Sequence, residues 1–135
     1  KLLIEHSANM DIDGAPYGTP LQAAAKAGHE AVAGVFLDNG TDVNFAGYVF
    51  QPALQIAVAL GNVKMVRLLV DRGASINQQG GFYGTALQAA AMEGHENIVR
   101  LLLENGADGN LRGGPYGSAL QAASMGGHEN IVRLL

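Results

Sequence analysis

Residues 83–106 read YGTALQAAAMEGHENIVRLLLENG, and this stretch decides the fold. Thr85 precedes an Ala-rich segment that ends at Gly94, which predicts a short helix with a Thr N-cap and a Gly stop. A second helix is predicted over residues 96–104, because apolar residues recur there on one face. Gly106 suits the left-handed conformation that ends it. The stretch therefore predicts two short helices joined by a tight turn.

The same pattern recurs along the whole chain at an interval of 33 residues, without insertion or deletion. Columns of Gly, Asn and aromatic residues keep this period. Such a period is typical of solenoids, in which one unit stacks on the next. The Gly-rich residues 110–116 between two units predict a projecting turn or hairpin. The Leu-Gln dipeptide marks each unit, at Leu21-Gln22, Leu54-Gln55, Leu87-Gln88 and Leu120-Gln121.

This pattern resembles the ankyrin repeat, although Gln stands where the family motif has His. The resemblance implies an all-α ankyrin-repeat solenoid of stacked helix-turn-helix units with short projecting β-hairpin or turn loops. Residues 80–88 are further similar to arrays in multi-repeat proteins of filamentous fungi. The motifs that carry the resemblance are Thr19-Pro20-Leu21-Gln22-Ala23-Ala24, Gly28-His29, Gly94-His95-Glu96, and Gly106-Ala107-Asp108 with Asn110.

The two ends of the chain align with the interior of a second helix, Lys1 with Arg100 and Leu135 with Leu102. We therefore expect residues 1–135 to form a single domain of about four 33-residue units, cut within the second helix at both ends and taken from a longer array. Neither end has the polar outer face of a capping repeat, which would allow head-to-tail contacts between copies.

Composition excludes several classes of protein. With 48% hydrophobic and only 15% charged residues, the chain is not a disordered tail, and the absence of Cys excludes disulfides and thiolate metal sites. No apolar run approaches the roughly 20 residues of a membrane span. A net charge of −4 argues against binding nucleic acid. We expect an intracellular protein, cytoplasmic or nuclear. Residues 1–50 carry the acidic excess, which is either a solvated face or a surface for a basic partner.

No catalytic residue, metal site or cofactor is predicted. His29, His95 and His128 occupy equivalent places, so stacking keeps them about one unit or more apart, and a turn His bonded to backbone is the expected role. The Gly80-Gly81 pair lacks the Lys-Ser or Lys-Thr of a phosphate loop, so turn geometry explains it. Ser118 occupies a helix-cap position, as Thr85 does.

Two columns of the repeat predict structural roles. A Gln amide carries two donors and an acceptor, so the side chains of the Leu-Gln column are expected to bridge their own loop and the next hairpin. The aromatic column is expected to pack beneath the hairpins, with ligand stacking as the alternative. The members of these columns are Gln22, Gln55, Gln88 and Gln121, and Tyr17, Phe50, Tyr83 and Tyr116.

Three departures from the pattern predict weak spots in the array. Phe50-Gln51-Pro52 stands where other units have Tyr-Gly-Thr or Tyr-Gly-Ser. Gly34 lies inside a second helix where the other copies have Arg, at a cost of about 1 kcal/mol relative to Ala. Gly109 replaces the apolar Val43 and Ile76 of earlier units.

The resemblance implies a non-catalytic protein–protein interaction module that binds through hairpin tips and the first-helix concave face. The alternatives are a structural spacer within a larger intracellular receptor-like protein, and an enzyme or small-molecule-binding domain, which would need a deep pocket with converging polar groups. The apolar candidates for the binding surface are either one stripe or scattered surface residues. The predicted partner-binding residues are Tyr48, Val49, Leu60, Phe82, Met92, Glu93, Met125, Lys26, Phe45 and Arg112.

Overall fold

The computed structural model describes residues 18–46 and 51–135. Within these ranges, helices pair into successive helix-turn-helix units, and the units stack so that first helices pack on first helices and second helices on second helices. The prediction of an all-α solenoid is confirmed. The helices are α1 (Pro20–Ala27), α2 (Glu30–Asp38), α3 (Ala53–Ala59), α4 (Val63–Asp71), α5 (Ala86–Glu93), α6 (Glu96–Glu104), α7 (Ala119–Gly126) and α8 (Glu129–Leu134).

The predicted caps delimit the first helices. Thr85 begins α5 with a capping box, because its hydroxyl accepts from the Gln88 N–H while the Gln88 side chain accepts from the Thr85 N–H. Ser118 repeats this arrangement with Gln121. Gly94 ends α5 in the left-handed conformation at a φ of 80°, which a side chain would strain.

Small side chains set the close spacing of the first helices. Ala57, Ala90 and Ala123 are fully buried between neighbouring units. Larger residues of the second helices, such as Met65 and Ile98, fill the layer behind them with 0% and 1% exposure. One continuous core therefore runs through the stacked units instead of a separate core in each.

The loops between units are tighter than extended hairpins. A single antiparallel bridge closes each of the two fully described tips, Gly80 with Gly84 and Gly113 with Gly117. In each bridge the first Gly donates its N–H to the carbonyl of the second at 2.8 Å. Gly114 must lack a side chain, because a Cβ there would lie 2.5 Å from the Tyr83 carbonyl oxygen of the preceding tip.

Candidate partner-binding surface

Gln side chains join each unit to the next, as the sequence predicts. The Gln22 Oε1 accepts from the Thr19 N–H at 2.7 Å, while its Nε2 donates to the carbonyls of Ala46 and Gln51 at 3.0 and 2.8 Å. Gln88 repeats this bridge into the following loop. Its side chain is 1% exposed, so these amides belong to the joints and not to the surface.

Histidine rings make a second set of joints in the opposite direction. The Nε2 of His95 lies 3.3 Å from the Ala59 carbonyl, and that of His128 lies 2.8 Å from the Met92 carbonyl. A carbonyl only accepts, so Nε2 carries the proton in both rings. The predicted backbone-bonded His is confirmed at these two positions. In the described ranges, no three or more His, Asp or Glu side chains group closely enough to hold a metal ion.

The second unit keeps the Gln bridge to the next unit, through Gln55, but lacks the capping box and the His bond. Pro52 caps α3 and has neither an N–H nor a hydroxyl, so the buried Gln55 Oε1 has no hydrogen-bond partner. Asn62 occupies the position that His95 and His128 hold in later units. Its side chain accepts from the Met65 N–H of its own helix, whereas those His rings bond to the preceding unit. These missing bonds are local departures of this unit, and the weakness expected from them stays a prediction.

The predicted apolar residues occupy the ends of the first helices and a loop tip. Leu60 directly follows α3, while Met92 and Met125 lie near the ends of α5 and α7. Leu60 is 57%, Phe82 58% and Met125 70% exposed, whereas Met92 is partly buried against the core. Tyr48 and Val49 lie outside the described residues.

The remaining candidates, Lys26, Phe45 and Arg112, lie on the first unit and in the loops after α2 and before α7. Lys26 is exposed near the end of α1, in the same column as Met92 and Met125. Phe45 is partly buried in the loop after α2. Arg112 is exposed in the loop before α7, where it also lines a cavity of about 430 Å³ together with Gly109 and four Leu residues.

An aromatic cluster surrounds Phe82. Its ring packs at nearly right angles against Tyr83, with centroids 5.3 Å apart, and against Tyr116 at 6.1 Å. Such edge-to-face pairs are favourable contacts between rings. Tyr83 and Tyr116 also pack against the core, which confirms their predicted place beneath the tips. Phe82 thus stands on two anchored rings and still exposes most of its surface.

Tyr83 connects this cluster to Glu93. Its hydroxyl donates a hydrogen bond to the Glu93 carboxylate. A residue just before α5 is thereby tied to the last residue of that helix. This bond, followed by burial and the negative charge, raises the pKa of Tyr83 to about 12. The sequence analysis assigned Tyr83 to packing and did not predict its bond to Glu93. The available signal was the acid at position 93, because the equivalent positions of the other units hold Ala27, Leu60 and Gly126.

Glu93 is an acid without a basic partner in the described structure. The ion pairs of residues 18–46 and 51–135 join second helices or lie within one. They include Glu96–Arg100 at 3.1 Å and Glu129–Arg133 at 2.6 Å, each between residues four apart on one helix. Glu93 takes part in none of these pairs.

Comparison with known families agrees with the architecture. A family model of ankyrin repeats, in three copies, matches residues 54–135, and a model of a single ankyrin repeat matches residues 18–48. A search of curated proteins found no match. In the part of the chain that the structure describes, every helix is too short to cross a membrane.

Proposed function

Because the chain belongs to the ankyrin-repeat family, whose members are generally non-catalytic protein-interaction modules, we propose that it binds a protein partner through its loop tips and the exposed ends of its first helices. The proposed surface is centred on Leu60, Phe82 and Met125. The other predicted partner-binding residues are proposed to complete it.

The exposure of three large apolar side chains on this side carries the proposal. Each of these side chains leaves apolar surface in contact with water. Burying such surface against a partner contributes about 25 cal/mol of favourable free energy per Å². Aromatic and Met side chains are enriched at the centres of interfaces, and flexible Met side chains adapt to the shape of a partner. Leu60, Phe82 and Met125 are thus suited to act as anchors.

The outer face, which the second helices form, is less suited to binding a partner. Arg100 and Arg133 each pair with a Glu one turn earlier on the same helix. A partner would have to remove water from these pairs, and exposed pairs of this kind contribute little to affinity. This comparison supports placing the partner on the side of the first helices.

Selection from a random peptide library tests the proposal. The wild-type protein and a variant with Leu60→Ser, Phe82→Ser and Met125→Ser are panned in parallel. Val32→Ser with Val35→Ser serves as the matched control, because these α2 side chains are 46% and 39% exposed on a second helix. We expect peptides that bind the wild type and the control but not the triple variant. Peptides that still bind the triple variant would refute the location, and no binders on well-folded protein would favour a spacer.

A further inference from the structure

Resting on the proposed function, we propose that the surface between Phe82 and Glu93 binds an arginine of the partner, presented on an amphipathic helix with apolar residues on both sides of it. The guanidinium would lie on the Phe82 ring and pair with the Glu93 carboxylate. Tyr83 holds the two receptor groups together, since it contacts the Phe82 ring and donates to Glu93.

Charge complementarity indicates a cation. Glu93 is exposed, and none of the ion pairs in residues 18–46 and 51–135 involves it. Its carboxylate accepts one bond from Tyr83, but two carboxylate oxygens offer about four acceptor positions. With a pKa of about 12, the Tyr83 hydroxyl stays protonated at neutral pH and continues to donate to the Glu93 carboxylate.

The neighbouring ring favours arginine over lysine. Phe82 exposes 58% of its surface while two Tyr rings hold its orientation. A guanidinium stacks on an aromatic face and also forms paired hydrogen bonds with a carboxylate, which a compact ammonium group does not do in the same geometry. Phe82 and Glu93 together therefore match arginine.

The backbone of the tips favours a helical partner. An extended peptide gains affinity from main-chain hydrogen bonds, but the last carbonyl of each described tip already accepts from two donors. The Gly84 carbonyl accepts from Gly80 and Gln55, and the Gly117 carbonyl accepts from Gly113 and Gln88. A helix satisfies its own backbone groups, so it needs only side-chain contacts here.

The spacing of the units sets the spacing of the partner's residues. Leu60 lies one unit before Glu93, and Met125 lies one unit after Met92. Packed helices lie about 8–10 Å apart, and a helix rises about 1.5 Å per residue, so one unit corresponds to about six or seven residues of a crossing helix. The expected ligand has an arginine with an apolar residue about two turns away on each side.

Synthetic helical peptides test this inference. The probe is a peptide of roughly 20 residues with Leu about seven positions before and after a central Arg, and its matched forms carry Gln or Lys at the centre. Binding to the wild type is followed by fluorescence anisotropy and NMR. We expect the Arg peptide to bind about tenfold more tightly than the Gln peptide, with Lys between them.

Protein variants locate the effect. Glu93→Gln is expected to abolish the preference for Arg over Gln, and Phe82→Leu to abolish the preference for Arg over Lys. Glu104→Gln removes an exposed acid at the end of α6 and should leave both preferences unchanged. Equal binding of the Arg and Gln peptides, or no binding of either, would overturn the inference. Library peptides without arginine would leave the proposed function standing, whereas an empty library would refute that function.

Discussion

Replacing Pro52 with Thr should stabilise the array, because Pro52 deprives the second unit of a capping box. In the first and third units, the residue at this position donates its N–H to the Gln Oε1 at 2.7 Å and accepts from the Gln N–H at 3.2 Å. Pro52 makes neither bond, and the Gln55 Oε1 stays buried and unpartnered. Its backbone, at φ −52° and ψ 149°, resembles that of Thr19 at −72° and 163°, so Thr fits the site.

The expected gain is a balance of opposing contributions. A Thr N-cap contributes about 1 kcal/mol. Providing a donor for a buried acceptor removes a penalty of about 1–3 kcal/mol. Two effects oppose this gain. Without Pro the unfolded chain has more conformational freedom, which lowers stability by about 0.4–1 kcal/mol, and the Pro52 ring beside Gly80 is lost as well. We expect a net gain of about 1–3 kcal/mol, with each kcal/mol raising Tm by about 3–5 °C for a chain of this size.

Thermal and urea unfolding, followed by circular dichroism, measure the effect. Pro52→Ala supplies the N–H without the hydroxyl, so it should fall between the parent and Pro52→Thr. Thr85→Pro creates the same defect in the third unit and should lower the free energy of unfolding by a similar amount. If Pro52→Thr is no more stable than the parent chain while Thr85→Pro is clearly destabilised, the missing N–H and hydroxyl are not what weakens the second unit.

Three other predictions follow from single positions. Gly34→Arg should stabilise α2 by about 1 kcal/mol in urea unfolding, because no atom crowds the site and Glu30 lies one turn earlier, and Gly34→Ala should recover most of this gain. Gly109→Val, at a site where no atom lies within 4 Å of an added Cβ, should add about 0.4–1 kcal/mol by restricting the unfolded chain, and a loss of stability would refute this account. Because the folded-state pKa of Tyr83 lies above its usual value of 10.0, its bond to Glu93 stabilises the fold below pH 10 and loses this effect as pH rises towards 12. In an absorbance titration, Glu93→Gln should make tyrosinate appear at lower pH, and an unchanged curve would contradict this account.

Repetition made most of the fold predictable. Thr85, Gly94 and His95 sit in columns that recur through the chain, and each recurrence supports the same backbone role. The structure bears out the caps and the His bond at these positions. The Gln bridge was predictable as well, because a buried amide needs several partners and only the next loop could supply them.

The features that belong to a single unit were harder to predict. Tyr83 and Glu93 lie ten residues apart, at the two ends of α5, so their bond depends on side-chain rotamers that no periodicity reveals. The repeat placed Tyr83 in a packing column, which is correct for its ring but not for its hydroxyl. The surface that we propose for partner binding consists of positions that differ from unit to unit. A single sequence says least about the contacts of such positions, because no repetition supports an interpretation.

The Gln bridges have a consequence for how such a gene changes. Across each of these joints, the Gln amide holds carbonyl groups of the next unit, as Gln22 holds those of Ala46 and Gln51. Every amino acid supplies the same carbonyl, so the joint does not depend on which side chains the adjoining loop carries. A recombination that duplicates, removes or exchanges a whole unit therefore preserves the bridge, while mutations at exposed tip positions such as Phe82 alter the surface. The inheritable module is the interval from one Gln to the next.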